Sequence, residues 1–152
     1  LKNNVGDDIV LNYLVSDVDD KEYDFNISNN GQSSSILEMD THLKHHPQVK
    51  YIDSVKVKSK RIDTILRDNE ISVSKYDFLN LDIQGAELMA LKGMGKLIES
   101  FNYIYTEVNI GEVYRGCAKM NEIDEFLDKY DFKRVETKIT EFEWGDAFYI
   151  KK

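Results

Sequence analysis

Hydrophobic periodicity divides the chain into strand-like and helix-like stretches in alternation. Residues 9–16 form an apolar, β-branched run of strand length, closed by polar residues 17–21, and predict a buried strand. Tyr23, Phe25 and Ile27 alternate with Glu22, Asp24 and Asn26, the period-two signature of a strand with one wet face at a sheet edge. Asn29-Asn30-Gly31 is turn chemistry and predicts an exposed loop over residues 28–35. Residues 36–48 show no clear period and read as either a loop or a short helix that Pro47 helps to end. Residues 51–57 alternate again as a short strand, and Ile62, Ile65 and Leu66 predict a short surface helix. Residues 76–83 are nearly continuously apolar, as in a central strand covered by helices on both faces.

The second half repeats the alternation. Leu88, Leu91 and Ile98 make one stripe of an amphipathic helix over residues 86–99, and residues 101–108 form an aromatic and β-branched strand. Asn121 can cap a helix in which Ile123, Phe126, Leu127 and Tyr130 repeat at i, i+3, i+4 and i+7. Residues 132–139 and 147–150 close the chain as strands. This order predicts a single α/β domain with a mostly parallel sheet and a C-terminal antiparallel strand pair.

Composition narrows the chemistry. With 28 acidic against 20 basic residues, the net charge of −8 disfavours a phosphate backbone as partner, and the one basic run, Lys56 to Arg61, reads as a solvated strand edge. One cysteine, Cys117, allows neither an internal disulfide nor a thiolate zinc site and reads as inert. No apolar run reaches the roughly 20 residues that span a bilayer, so the expectation is a cytoplasmic protein with no membrane or nucleic-acid partner. The nine tyrosines sit mostly at strand positions, where core packing is expected.

Unusual polar residues fall just after the strands, where open α/β sheets bind ligands. Asp82, Gln84 and Glu87 surround Gly85, which permits a tight turn; Glu107, Asn109, Glu112 and Tyr114 follow the next strand. A carboxylate after such an apolar strand must be hydrogen-bonded or hold a ligand. Glu87 can instead stabilise its own helix terminus, and Glu107 and Asn109 can bond loop backbone. His42 and His46 stand at i, i+4, but Pro47 and the lack of a third ligand nearby argue against a metal. One histidine of this loop as a general base fits better.

Several motifs together resemble the FkbM family of S-adenosylmethionine-dependent methyltransferases. They are Gly31-Gln32-Ser33-Ser34-Ser35-Ile36-Leu37, His46-Pro47, Arg61-Ile62-Asp63-Thr64, the box from Asp77-Phe78-Leu79-Asn80-Leu81-Asp82-Ile83-Gln84-Gly85-Ala86-Glu87-Leu88 to Ala90-Leu91-Lys92-Gly93, and Trp144-Gly145-Asp146-Ala147. Thr106-Glu107-Val108-Asn109 and Tyr114 support the same alignment. The resemblance implies a class I, Rossmann-like methyltransferase core and methyl transfer to a hydroxyl of a sugar or metabolite, with S-adenosylmethionine as cofactor and a small molecule or glycan as acceptor. It implies Asp82, Glu107 and His46 as catalytic, Asp82, Gln84 and Ser34 as cofactor-binding, and Asn109 and Tyr114 as substrate-binding; a divalent cation is the lesser possibility.

The sequence departs from the family at its start. The Asp-x-Gly-Ala-Asn-x-Gly-like loop and the two N-terminal strands that hold the cofactor are missing from these 152 residues. The expectation is therefore a domain beginning at its third strand, with weak S-adenosylmethionine binding by this chain alone. A non-catalytic glycan- or protein-binding module on the same scaffold is the alternative, and a nucleotide-binding α/β protein of another reaction class is weaker, for want of a phosphate-cradling loop.

Overall fold

The computed structural model describes residues 9–152. Seven strands and four short helices alternate: β1 (Leu14–Val15), β2 (Glu22–Ser28), α1 (His42–His45), β3 (Tyr51–Lys60), α2 (Ile62–Asp68), β4 (Phe78–Leu81), α3 (Glu87–Gly93), β5 (Tyr103–Asn109), α4 (Met120–Asp128), β6 (Phe132–Ile139) and β7 (Trp144–Lys151). They build two sheets, ordered β1-β3-β2 and β4-β5-β7-β6. The α/β class and the closing antiparallel pair follow the expectation, since β7 lies antiparallel to both β5 and β6. The sheets are not mostly parallel, however. Only β1–β3 and β4–β5 pair in parallel among the described residues, against three antiparallel pairs.

Three elements depart from their sequence pattern. The apolar run at residues 9–16 yields only the two-residue β1, and Ile9, Val10, Leu11 and Tyr13 are exposed, because ladder pairing with β3 begins at Leu14↔Ser59. β3 runs on through the basic stretch to Lys60 and lies in the middle of its sheet rather than at an edge. Its cations are paired across the surface: Lys56 with Glu22 and Asp24, Lys60 with Asp68. β4 is the outer strand of its sheet, with Phe78 half exposed, so its apolar continuity reflects one helix-covered face and one open one.

The core lies between the four-stranded sheet and the helices α3 and α4. Leu81, Ile104, Val108, Ala147 and Tyr149 from the strands pack on Ala90, Leu91, Met94, Ile98, Ile123 and Leu127. The opposite face carries Phe78, Tyr103 and Tyr105, all exposed. Of the nine tyrosines only Tyr114 and Tyr149 are fully buried, which corrects the expected core placement: the strand positions that bear rings alternate onto the uncovered face.

Helix boundaries follow local chemistry. α3 ends at Gly93 and passes into a 3₁₀ segment, Gly95–Ser100, rather than continuing to residue 99 as one helix. α4 starts two residues earlier than an Asn121 cap would place it; Lys119 is its N-cap, and its N–H donates to the Glu122 carboxylate at 2.8 Å. No helix of the described residues is long and apolar enough to cross a membrane.

Candidate active site

The parallel register Leu81↔Thr106 sets the next position of each strand side by side, which brings Asp82 and Glu107 together at the carboxyl ends of β4 and β5. Between them the chain turns sharply. Gln84 and Gly85 both have positive φ, +56° and +96°, and a Cβ on residue 85 would press to within 3.1–3.2 Å of Tyr114, Cys117 and Leu37. Glycine is therefore required twice at this position, for conformation and for space. The Gln84 carbonyl accepts a hydrogen bond from Ser35 Oγ at 2.8 Å, which ties the turn to the 31–37 loop.

The Gln84 side chain is the centre of the polar cluster. Its Nε2 donates to Asp82 Oδ1 at 2.6 Å and to Glu107 Oε2 at 3.0 Å, and its Oε1 accepts from the Tyr114 hydroxyl at 2.8 Å. Glu87 lies behind, buried, with Oε1 accepting from the Ile83 and Gly85 N–H groups at 3.0 and 3.2 Å. It satisfies the N–H donors of the turn before α3 rather than acting on its own helix terminus alone.

Electrostatics follow from burial. Glu107 is 7% exposed, and its carboxyl is pushed up to about 9, first by desolvation, then by the charges of Glu87 and Asp82. Burial likewise raises Glu87 and the Tyr114 hydroxyl. His42 is held below the ordinary histidine range by burial and by the neighbouring His46 and His45. Cys117 is buried and its thiol raised, which leaves no activated sulfur here.

Two clefts meet at this cluster. The larger, about 490 Å³, is walled by Asp82, Gln84, Glu107, Tyr114, His42, His46 and Trp144, with the amides of Asn30, Gln32 and Gln48 at its polar side. The smaller, about 270 Å³, is mostly apolar, with Leu14, Val15, Phe25, Ile36 and Ile83 facing Ser34, Ser35, Asp82 and Gln84. Asp82, Gln84 and Gln32 belong to both.

Of the residues singled out in the sequence, Asp82, Gln84, Glu107, His46 and Tyr114 converge on the larger cleft, and Ser34 lies in the smaller one. Ser34 Oγ is engaged locally, donating to the Gly31 carbonyl at 2.9 Å and accepting from the Ser28 N–H at 3.1 Å. Asn109 stands apart: it lines neither cleft and is fully buried, and its amide nitrogen and oxygen have no partner among the described residues. His42, paired with His46 at i, i+4 in the sequence, also lines the cleft; its ring lies obliquely 5.1 Å from that of His46 and 5.6 Å from that of Tyr114. Trp144 and Gln32 stand in the motifs that carry the family resemblance but had no site role from the sequence, and Asn30 and Gln48 had none either, since nothing local marks a residue that becomes a cleft wall through a distant pairing such as Asn109↔Trp144. Among the described residues no group of three or more His, Cys, Asp or Glu is disposed to hold a metal ion.

An α/β domain with a carboxylate-bearing cleft at the ends of two parallel strands is the kind of scaffold on which group-transfer enzymes are built. The profile of the "Methyltransferase FkbM domain" family matches residues 1–134, and the chain belongs to that family. A 2-O-methyltransferase of Sinorhizobium fredii, NoeI, is similar, with 27% identity over 115 residues that cover 76% of this chain. The match covers 44% of that relative, so the chain spans less than half the length of the curated protein it resembles. No solved structure matches the chain.

Proposed function

We propose that the two clefts serve methyl transfer from S-adenosylmethionine to a hydroxyl oxygen of a sugar or small metabolite. The observation that carries this reading is the shared wall: Asp82 and Gln84 face both an apolar cleft and an amide- and aromatic-lined one. A donor in one and an acceptor in the other would meet at a carboxylate. That the Sinorhizobium relative is a 2-O-methyltransferase supports an oxygen acceptor, and the strand order β4-β5-β7-β6 with β7 antiparallel supports a Rossmann-like core.

The donor set suits the cofactor. Leu14, Val15, Phe25 and Ile36 offer apolar surface for a flat base, while Asp82 and the serine hydroxyls offer acceptors for hydroxyl and ammonium groups. S-adenosylmethionine, when bound, supplies a methyl group already activated on a sulfonium. The chain's own residues then have two tasks. Trp144, Tyr114 and the amides of Asn30, Gln32 and Gln48 hold the acceptor in line, and Asp82 or His46 takes up the hydroxyl proton. Glu107, protonated at neutral pH, acts as a hydrogen-bond donor rather than as a base.

The test is transfer of a labelled methyl group from S-adenosylmethionine by the intact protein to a panel of oligosaccharides and polyols, read by a mass increase of one methyl on product. Glycan binding without any methylated product would leave the non-catalytic module as the function and end this reading.

A further inference from the structure

Within the cluster, Asp82 and Glu107 are two carboxyl groups bridged by one amide, an arrangement that methyl transfer as such does not require. We infer that Gln84 is a positioning residue that holds the Asp82 and Glu107 carboxyl groups as a coupled pair, Glu107 on the buried side and Asp82 presented to the acceptor. The inference rests on the proposed function for its catalytic consequence, but the pair itself is a property of the fold.

The backbone leaves Gln84 little freedom. It occupies the left-handed region, is followed by a glycine at which any Cβ would crowd Tyr114, Cys117 and Leu37, and has its carbonyl held by Ser35. From that fixed base the amide spends both N–H groups on the two carboxyls and accepts from Tyr114 with its oxygen. An amide hydrogen can stabilise a carboxylate without neutralising it, so the site keeps a negative charge that a lysine would cancel. Tyr114 fixes which way the amide faces: its hydroxyl donates to Oε1, and Nε2 must then point at the carboxyls.

The proton's place follows from exposure and charge. Glu107 is buried near Glu87 of α3, Asp146 of the paired strand β7, Asp82 and Tyr114, and it shares the wall of the larger cleft with His42 of α1 and His46 just after it. Asp82 is exposed at the junction of the two clefts. Beside a second carboxyl, the desolvated member of a pair is the one that holds on to its proton, which here is Glu107. The amide nitrogen of Gln84, 2.6 Å from Asp82 Oδ1 and 3.0 Å from Glu107 Oε2, keeps the two carboxyl groups next to each other.

The experiment compares the intact protein with its Gln84→Met and Gln84→Glu variants. Both remove the two N–H donors; Gln84→Met keeps the length, and Gln84→Glu keeps the acceptor for Tyr114, so loss of fold in one leaves the other. The first readout is the titration of the Glu107 carboxyl by carbon NMR on labelled glutamate, assigned with Glu107→Gln, which needs no activity. The second is the pH profile of methyl transfer. Loss of the bridge should move the carboxyl titration by one pH unit or more, shift the acid limb of the profile upward, and lower kcat at least tenfold while the acceptor KM changes less than threefold. An unmoved titration and an unmoved acid limb in the folded variants would overturn the inference, even with kcat reduced. A moved titration in a protein that methylates no hydroxyl would keep the pair and discard the methyl-transfer reading.

Discussion

A Cβ on Gly93 would lie 2.2 Å from the carbonyl oxygen of Ser16, so the last turn of α3 rests directly on the backbone leaving β1. This contact joins the helix that follows the Asp82 turn to the three-stranded sheet. Because Ser16 is fully buried and its N–H donates to the Lys60 carbonyl at 3.1 Å, neither partner can retreat. The packing thereby fixes the distance between the two sheets that flank the smaller cleft.

Gly93→Ala should accordingly destabilise the protein despite the better helix propensity of alanine. Propensity favours the change by about 1 kcal/mol, while inserting a methyl group into a closed contact costs about 1–3 kcal/mol, and more where backbone must move. A fall in the thermal midpoint of several degrees is expected by circular dichroism. An unchanged or raised midpoint would show that α3 can slide from β1.

Under the proposed function, the shared wall makes Asp82 the side chain whose loss should most reduce turnover. Asp82→Asn preserves size and keeps an acceptor for the Gln84 amide, so the fold should hold. Methyl transfer by the intact protein should fall about a hundredfold or more, the scale typical of losing a general base. Turnover equal to the parent's would remove Asp82 from the chemistry.

Glu107 predicts the pH dependence of stability. Its folded value, about 9, lies above the ordinary value of 4.5, so between these limits the unfolded chain has released a proton that the native protein still holds. Stability is then greatest below the lower limit, declines as pH rises through the window with a slope of up to about 1.4 kcal/mol per unit, and flattens above pH 9. Buried Glu87, also raised, acts with the same sign. Urea denaturation at pH 5 and pH 8 should show the decline, and Glu107→Gln should reduce it. A wild-type protein more stable at pH 8 than at pH 5 would contradict the assignment.

How much of this was legible depended on whether the information was local. β5 and α4 were readable because their patterns are satisfied by neighbours on one face, as were the turn at Asn30-Gly31 and the closing strands. Residues 9–13 share the composition of a strand yet pair with nothing in the described ladders, and composition cannot reveal a missing partner. β3 runs past its expected end because Lys56 and Lys60 resemble the close of a strand until Glu22 and Asp24 of β2 and Asp68 of α2 pair with them. At the site, the position of Asp82 after its strand was enough to single it out. The bridge from Gln84 to Glu107 spans 23 positions and arises from the Leu81↔Thr106 register, which no short-range pattern encodes.

Trp144 supplies the last prediction. It begins β7, opposite Asn109, and its half-buried ring walls the larger cleft together with Tyr114 and His46. An aromatic face beside the amides of Asn30, Gln32 and Gln48 suits the apolar face and the hydroxyl rim of a sugar-like acceptor, and it is remote in chemistry from proton transfer. Trp144→Ala should therefore act on binding: burying a side chain of this size contributes about 1.5–3 kcal/mol, which corresponds to an acceptor KM raised by tenfold or more. Trp144→Phe, which retains a flat ring, should recover most of the loss. Steady-state kinetics with saturating S-adenosylmethionine would separate the cases, since a fall in kcat with KM unchanged would place the ring at the reacting atoms instead of under the acceptor.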